Sequence, residues 1–270
     1  MPGPRPEESV TVDLNLSGKI AVVTGASKGI GLAVTRALAA EGVHVVAGAR
    51  TVTPELAELT SVRPVQGDLA APDGPAKLVD AAISAFGGLD ILVNNVGGVT
   101  PRTGGFLSVT DDDWLTALTI NFLAAVRTTR AAVPHLLDRG AGSIVTIASV
   151  NATLPDPLVI DYSAAKAALL NFCKSLSKEL GPQGIRVNTI SPGPVSTGLW
   201  LGDGGVAATV GRANSLDPDA VAKQAAGDAV TGRFTQPEEV ADLVLLLAGG
   251  RAANVTGTDI VIDGGMTPTL

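Results

Sequence analysis

The sequence predicts an α/β fold: one doubly wound domain with a mostly or wholly parallel, seven-stranded sheet and helices on both faces. Three observations carry that expectation. Short β-branched runs alternate with Ala- and Leu-rich segments of helical period along nearly the whole chain. No internal repeat or low-complexity linker divides it. With 270 residues, 46% apolar and 17% charged, the chain is long enough to bury one large core.

Residues 1–16 lack periodicity and are expected to form a loose tail, leaving residues 17–270 as the domain. Buried parallel strands are expected over 20–23, 43–47, 62–66, 91–94, 143–148, 186–190 and 259–262, where β-branched residues run together. Helices are expected over 30–41, 74–86, 111–137, 163–180 and 237–248. Thr110 and Asp113 stand at capping-box spacing before the third helix, and the last has Pro237 in its first turn behind Thr235. Residues 193–236, rich in Gly, Ala and Pro, interrupt the alternation. Following a strand's carboxyl end, that stretch is expected to act as a substrate lid.

Composition narrows the function. A net charge of −7 argues against a nucleic-acid or anionic-membrane partner. The single cysteine excludes an intramolecular disulfide and a Cys-based zinc cluster, and Cys173, between Phe172 and Lys174, reads as packing. His44 and His135 have no partners at ligand spacing, so no metal is expected. No run of 18 apolar residues occurs, and the N-terminus lacks an apolar signal core. A cytoplasmic protein is expected.

After the first strand comes Thr24-Gly25-Ala26-Ser27-Lys28-Gly29-Ile30-Gly31, running directly into a helix. Glycines there permit a sharp turn and close approach of a pyrophosphate, whose charge the helix N-terminus favours. Further on, the chain's one tyrosine, Tyr162, lies four residues before Lys166, so both face one side of a helix. An ammonium about 4 Å from a phenol, at an effective dielectric of about 20, favours the phenolate by roughly 4 kcal/mol. That corresponds to roughly three pKa units, enough for a proton donor and acceptor near neutrality. Ser149, thirteen residues before Tyr162 at a strand's end, can donate to a substrate oxygen as it becomes negative. Asn121 is a polar residue between Ile120 and Phe122 in the long helix. A glycine-rich turn or a Tyr-x-x-x-Lys pair also occurs without chemistry, so neither carries an assignment alone.

Together they resemble the short-chain dehydrogenase/reductase family: Thr-Gly-x-x-x-Gly-x-Gly is similar to its cofactor loop, and Ser149, Tyr162 and Lys166 to its active site. The match covers about residues 16–266. The resemblance implies a Rossmann-like domain with Asn121, Ser149, Tyr162 and Lys166 as a catalytic tetrad, Asn121 ordering a water in the proton relay. It further implies that Asp68 and Leu69 contact the adenine. Asn94-Asn95-Val96-Gly97 resembles the family's Asn-Asn-Ala-Gly signature, placing Asn95 and Gly97 at the cofactor. Pro192, Gly193, Val195 and Thr197 resemble the loop holding the nicotinamide carboxamide. Asp263-Gly264-Gly265 resembles the C-terminal turn. Homodimers or tetramers are implied as well.

The second strand ends at Ala49-Arg50, with no carboxylate for a ribose 2′-hydroxyl. Arg50 can pair a 2′-phosphate bidentately and Lys28 can add a second charge, so NADP(H) is expected over NAD(H). The substrate wall is expected from residues 99–106 and 151–159, with Asn151 and Leu158, and from Leu199, Trp200 and Leu201. These are mostly apolar, and a neutral, largely apolar ketone or secondary alcohol is expected. Alternatives are a 3-oxoacyl thioester on an acyl carrier protein, docked by Arg127, Arg130 and Arg139, and an NAD-dependent alcohol dehydrogenase. A non-catalytic cofactor-binding sensor is a more distant alternative.

Overall fold

The computed structural model describes residues 12–268. Seven strands are formed: β1 (Ile20–Thr24), β2 (His44–Ala49), β3 (Val62–Gln66), β4 (Ile91–Asn94), β5 (Gly142–Ile147), β6 (Ile185–Pro192) and β7 (Asp259–Ile262). They pair in the order β3-β2-β1-β4-β5-β6-β7, every ladder parallel. Pro64 falls on β3, an edge strand, where its missing N–H breaks no interior ladder.

The helices are α1 (Gly29–Ala40), α2 (Pro54–Ala57), α3 (Gly74–Phe86), α4 (Asp111–Leu118), α5 (Ala124–Asp138), α6 (Ile160–Leu180), α7 (Gly198–Leu201), α8 (Val206–Asn214), α9 (Pro218–Gly227) and α10 (Pro237–Ala248). Strand side chains alternate between two cores, as a period of two requires. Ala21, Val23, Val45, Ala47, Val93 and Val145 pack with Val34 and Leu38 of α1 and with Val240 and Val244 of α10. Ile20, Val22, Val46, Leu92, Ile144 and Val187 pack with Leu78 of α3, Leu136 of α5 and Leu169 of α6. Both faces of the sheet are thereby covered, which is why its strands read as unbroken apolar runs. Strand order reverses between β1 and β4, and the carboxyl ends of those strands open the crevice where ligands bind in such sheets.

Four expectations need correction. Residues 1–11 of the expected tail lie outside the described residues, but 12–16 are tied down. Leu16 is buried with Val34 and Leu247, and the Leu14 carbonyl accepts the Gly250 N–H at 2.9 Å. Two isolated leucines carry no period, yet they anchor the segment. The helix expected over 111–137 is not uniform: α4 passes into a π turn, Thr119–Leu123, and then α5. At the last helix Gln236, rather than Thr235, holds the N-cap position, its backbone N–H donating to Glu239 Oε2 at 2.7 Å. The stretch 193–236 contains α7, α8 and α9. Among the described residues no helix is long and apolar enough to cross a membrane.

Candidate active site

At the end of β1 the chain turns through Gly25 and Gly29, with φ of +67° and +54°, in the left-handed region that glycine reaches without strain. Gly31 is required for another reason: a Cβ there would lie 2.2 Å from the Gly25 carbonyl oxygen. Asn95, just past β4, braces the turn from the adjacent strand. Its Nδ2 donates to the carbonyls of Thr24 (2.9 Å) and Gly25 (3.1 Å), while Thr24 Oγ1 accepts the N–H groups of Asn95 (2.8 Å) and Val96 (3.0 Å). No side chain caps α1, whose first N–H groups remain available for an anion. Gly31→Ala is therefore expected to raise the Kd for a nicotinamide dinucleotide at least about tenfold, because the turn must open to admit the methyl. Titration of the variant by fluorescence checks this, and unchanged affinity would contradict it.

Beyond that turn, β2 ends at buried Ala49, followed by exposed Arg50. Arg50 and Lys28 line the same cavity, and neither forms an ion pair among the described residues. Leu69 is buried there; Asp68 is exposed, its carboxylate accepting the Ala70 N–H.

Ser149 stands just past β5, its Oγ accepting the Asn151 N–H at 3.2 Å and donating to Asn151 Oδ1 at 3.3 Å. Tyr162 and Lys166 project from the first turns of α6. Lys166 Nζ is buried, donates to the Ile147 carbonyl at 2.8 Å and lies 5.7 Å from the centre of the Tyr162 ring. Burial pushes the phenol above its usual range, only partly opposed by the Ser149 hydroxyl. Burial also lowers Lys166, to about 8. The expected effect of Lys166 on the phenol, which desolvation opposes, concerns the cofactor complex; in the ligand-free protein desolvation is the larger influence. The ammonium lies over the ring, engages a carbonyl, and desolvation of the phenolate dominates.

Asn121 sits in the π turn, almost wholly buried behind the cavity wall rather than on it. Its Nδ2 donates to the carbonyls of Gly98 (2.9 Å) and Ala117 (3.0 Å), and its Oδ1 accepts the Gly98 N–H (3.0 Å). Gly97 keeps the space between Asn121 and Lys166 open, since a Cβ there would be 2.9 Å from Asn121 Oδ1 and 3.6 Å from Lys166 Nζ.

All these groups except Thr24 and Asn121 line one cavity of about 1330 Å³, together with Ser27, Ile30, Pro192, Gly193, Val195 and Thr197. That exceeds a drug-sized pocket of about 300–1,000 Å³ and suits a dinucleotide plus a substrate. Asn151, Leu158, Leu199 and Trp200 form part of its wall. Phe106 and Leu201 do not; both are at least half exposed elsewhere. Sequence reasoning missed Leu115 and Thr116 of α4, Val206 of α8, Asp228 after α9, and Met266. Met266 had a usable signal: Asp-Gly-Gly forms a turn in which Asp263 accepts the N–H groups of Gly265 and Thr267, both at 2.8 Å.

The three arginines considered as a carrier-docking patch are not equivalent. Arg127 donates to the Ala70 carbonyl at 2.8 Å and Arg139 pairs with Asp90 at 3.4 Å. Cys173 is buried and its thiol is pushed up to about 11 by that burial, consistent with packing.

The unpaired cations and the glycine cradle fit a phosphorylated dinucleotide, and Ser149 and Tyr162 face the same space, as an oxidoreductase of the dinucleotide-binding type requires. Comparison with known proteins agrees. A family model described as enoyl-(acyl carrier protein) reductase matches residues 25–267. The chain is 33% identical over 267 residues to dehydrogenase/reductase SDR family member 4 of Sus scrofa, covering 94% of this chain and 89% of that protein. It is 35% identical over 264 residues to 3beta-hydroxysteroid dehydrogenase 1 of Eggerthella lenta, covering 94% and 95%. L-Sorbose reductase of Gluconobacter frateurii, solved with NADPH and L-sorbose, superposes with a TM-score of 0.88 at 36% identity, covering 96% of this chain and all of the other. The chain belongs to the short-chain dehydrogenase/reductase family and is an oxidoreductase acting on alcohol or carbonyl groups.

Proposed function

We propose that the protein interconverts a neutral, largely apolar ketone and its secondary alcohol with NADP(H). The observation that carries this reading is one cavity with Ser149, Tyr162 and Lys166 on its wall and, also on its wall, two cations, Arg50 and Lys28, that form no ion pair among the described residues. The NADPH bound by the sorbose reductase supports the cofactor, and its sugar substrate supports an uncharged ketone. Charge within the substrate wall points the same way. Arg102, the cation there, is paired to both Asp113 and Asp161, so it offers nothing to an anionic substrate. Of the three arginines considered for carrier docking, Arg127 and Arg139 are engaged within the fold and Arg130 is exposed, so the thioester reading is left to the substrate test below.

Bound NADP(H) supplies or accepts the hydride. Ser149 Oγ leaves Asn151 Oδ1 to donate to the substrate oxygen, and Tyr162 delivers the proton. Burial keeps the phenol protonated at neutral pH, the form reduction needs. Lys166 stands beside the ring to support the phenolate and return a proton to it. Its charge is present below about pH 8 and lost above. Reduction is therefore expected to hold level below that pH and to fall as pH rises through it. A profile of kcat/KM for NADPH that stays flat to about pH 10 would contradict the relay.

The test of the whole reading is oxidation of NADPH, and in parallel NADH, against neutral ketones and 3-oxoacyl thioesters. Turnover of neutral ketones with NADPH favoured at least about tenfold is expected. A thioester reduced more efficiently than every ketone would overturn the substrate class, and equal use of NADH the cofactor.

A further inference from the structure

We propose that Arg102 is a positioning residue for the proton donor: its guanidinium locks together the starts of α4 and α6 and so fixes Tyr162. The proposal rests on the reading of Tyr162 as proton donor. Arg102 lies in the loop beyond β4, and its backbone N–H donates to the Leu158 carbonyl at 2.6 Å. Its Nε donates to Asp161 Oδ2 at 3.0 Å, Nη2 engages the same oxygen, and Nη1 donates to Asp113 Oδ1 at 2.8 Å. The other oxygen of Asp161 accepts the backbone N–H of Tyr162 at 2.9 Å.

The first turn of α6 needs such a partner. Residue 159, at its N-cap, is a valine and offers no side-chain acceptor. An amide in a helix's first turn has no intrahelical acceptor, so the Asp161 carboxylate takes the place of a cap. Asp161 has a side-chain exposure of 2%, and a carboxylate buried so deeply requires a countercharge. Arg102 supplies it. Asp113 belongs to the capping box that starts α4, and α4 leads into the π turn holding Asn121. One planar fork therefore ties together the entry of the helix bearing Tyr162 and that of the helix leading to Asn121. Lysine carries the charge but not the fork. With its donors shared between two carboxylates and only 14% of its side chain exposed, Arg102 is spent on alignment although it borders the cavity.

The test combines R102K, R102M, R102M/D161N and the cycle of R102M with Y162F. Measured on the purified full chain are kcat and KM for a ketone at saturating NADPH, Kd for NADPH, and Tm. R102M is expected to lower kcat about 10- to 100-fold, as small misplacements of a reacting group do, with Kd for NADPH within about twofold. R102K should fall between. R102M/D161N removes the unpaired carboxylate and should recover Tm while kcat stays low; it carries the test if R102M alone does not fold. In the Y162F background R102M should cost less than about twofold, because the group it aligns is gone. Recovery of kcat in step with Tm, or losses that multiply in the cycle, would overturn the positioning role. A Y162F enzyme as active as the wild type would instead remove the reading of Tyr162 on which the inference rests.

Discussion

Replacing Tyr162 by Phe is expected to lower kcat for ketone reduction about 10²–10⁴-fold, the usual contribution of a placed proton donor. The substitution deletes one oxygen and keeps the ring against which Lys166 is stacked, so the cavity wall and the buried ammonium stay as they are. NADPH affinity should change by less than about threefold, and kcat and kcat/KM should fall together, as they do when an interaction made only in the transition state is lost. Isothermal binding beside steady-state kinetics separates the two effects. A Phe variant within about tenfold of the wild type would sink the assignment. The same residue allows a direct measurement, because it is the only tyrosine in the chain. Absorbance titration of the ligand-free protein reports one phenol, expected to ionise above the ordinary value near 10 because burial opposes its charge. A lower value would show that Lys166 outweighs desolvation even without a ligand.

That competition shows where the sequence stopped being readable. The spacing of Tyr162 and Lys166 places them on one helix face, which is correct. Which effect wins depends on where the ammonium points and how dry the phenol is, and spacing carries neither. Elements were legible wherever burial imposes a simple period. The strands at 62–66, 91–94 and 259–262 and the helices at 74–86 and 237–248 have the expected bounds. Each is a β-branched or Ala/Leu-rich run ended by Gly, Asp, Pro or a polar residue. The π turn was not legible because one extra residue barely shifts an apolar pattern, and only Asn121 between Ile120 and Phe122 hinted at it. Helices α8 and α9 hide in Gly- and Ala-rich sequence with few large apolar residues, although Asp217 before Pro218 is a fair start signal: the aspartate accepts the Asp219 N–H at 2.9 Å. The cavity residues that follow β1 and β4 lie on local turns whose glycines are visible in the sequence. Other parts of the cavity draw Leu115, Val206, Asp228 and Met266 from four distant segments, and only the assembled fold brings them together.

The second large effect is expected at Arg50, which lines the same cavity. Arg50→Asp should invert the cofactor preference, changing the ratio of kcat/KM for NADPH to that for NADH by about 10²–10³. A charge-assisted hydrogen bond to a phosphate contributes about 1.5–3 kcal/mol, so its loss alone weakens NADPH about 10- to 100-fold. An aspartate at the end of β2 would also repel the 2′-phosphate and accept from a free ribose 2′-hydroxyl, gaining about another tenfold for NADH. Lys28→Ala should shift the ratio in the same direction by only about three- to tenfold, since an exposed ammonium is screened and binds as a point charge. Neither change should disturb the fold. Both side chains are exposed and lack ion-pair partners among the described residues, so truncation leaves no buried group unsatisfied. Tm should therefore stay within about 2 °C, which separates lost recognition from lost stability. Raising ionic strength should erode the wild-type preference for NADPH and shift the ratio the opposite way in Arg50→Asp with Lys28→Ala, because screening then weakens the repulsion between the new aspartate and the 2′-phosphate. An unchanged ratio in Arg50→Asp would mean that the 2′-phosphate, if bound at all, is held elsewhere, and NAD(H) would become the better reading of the site.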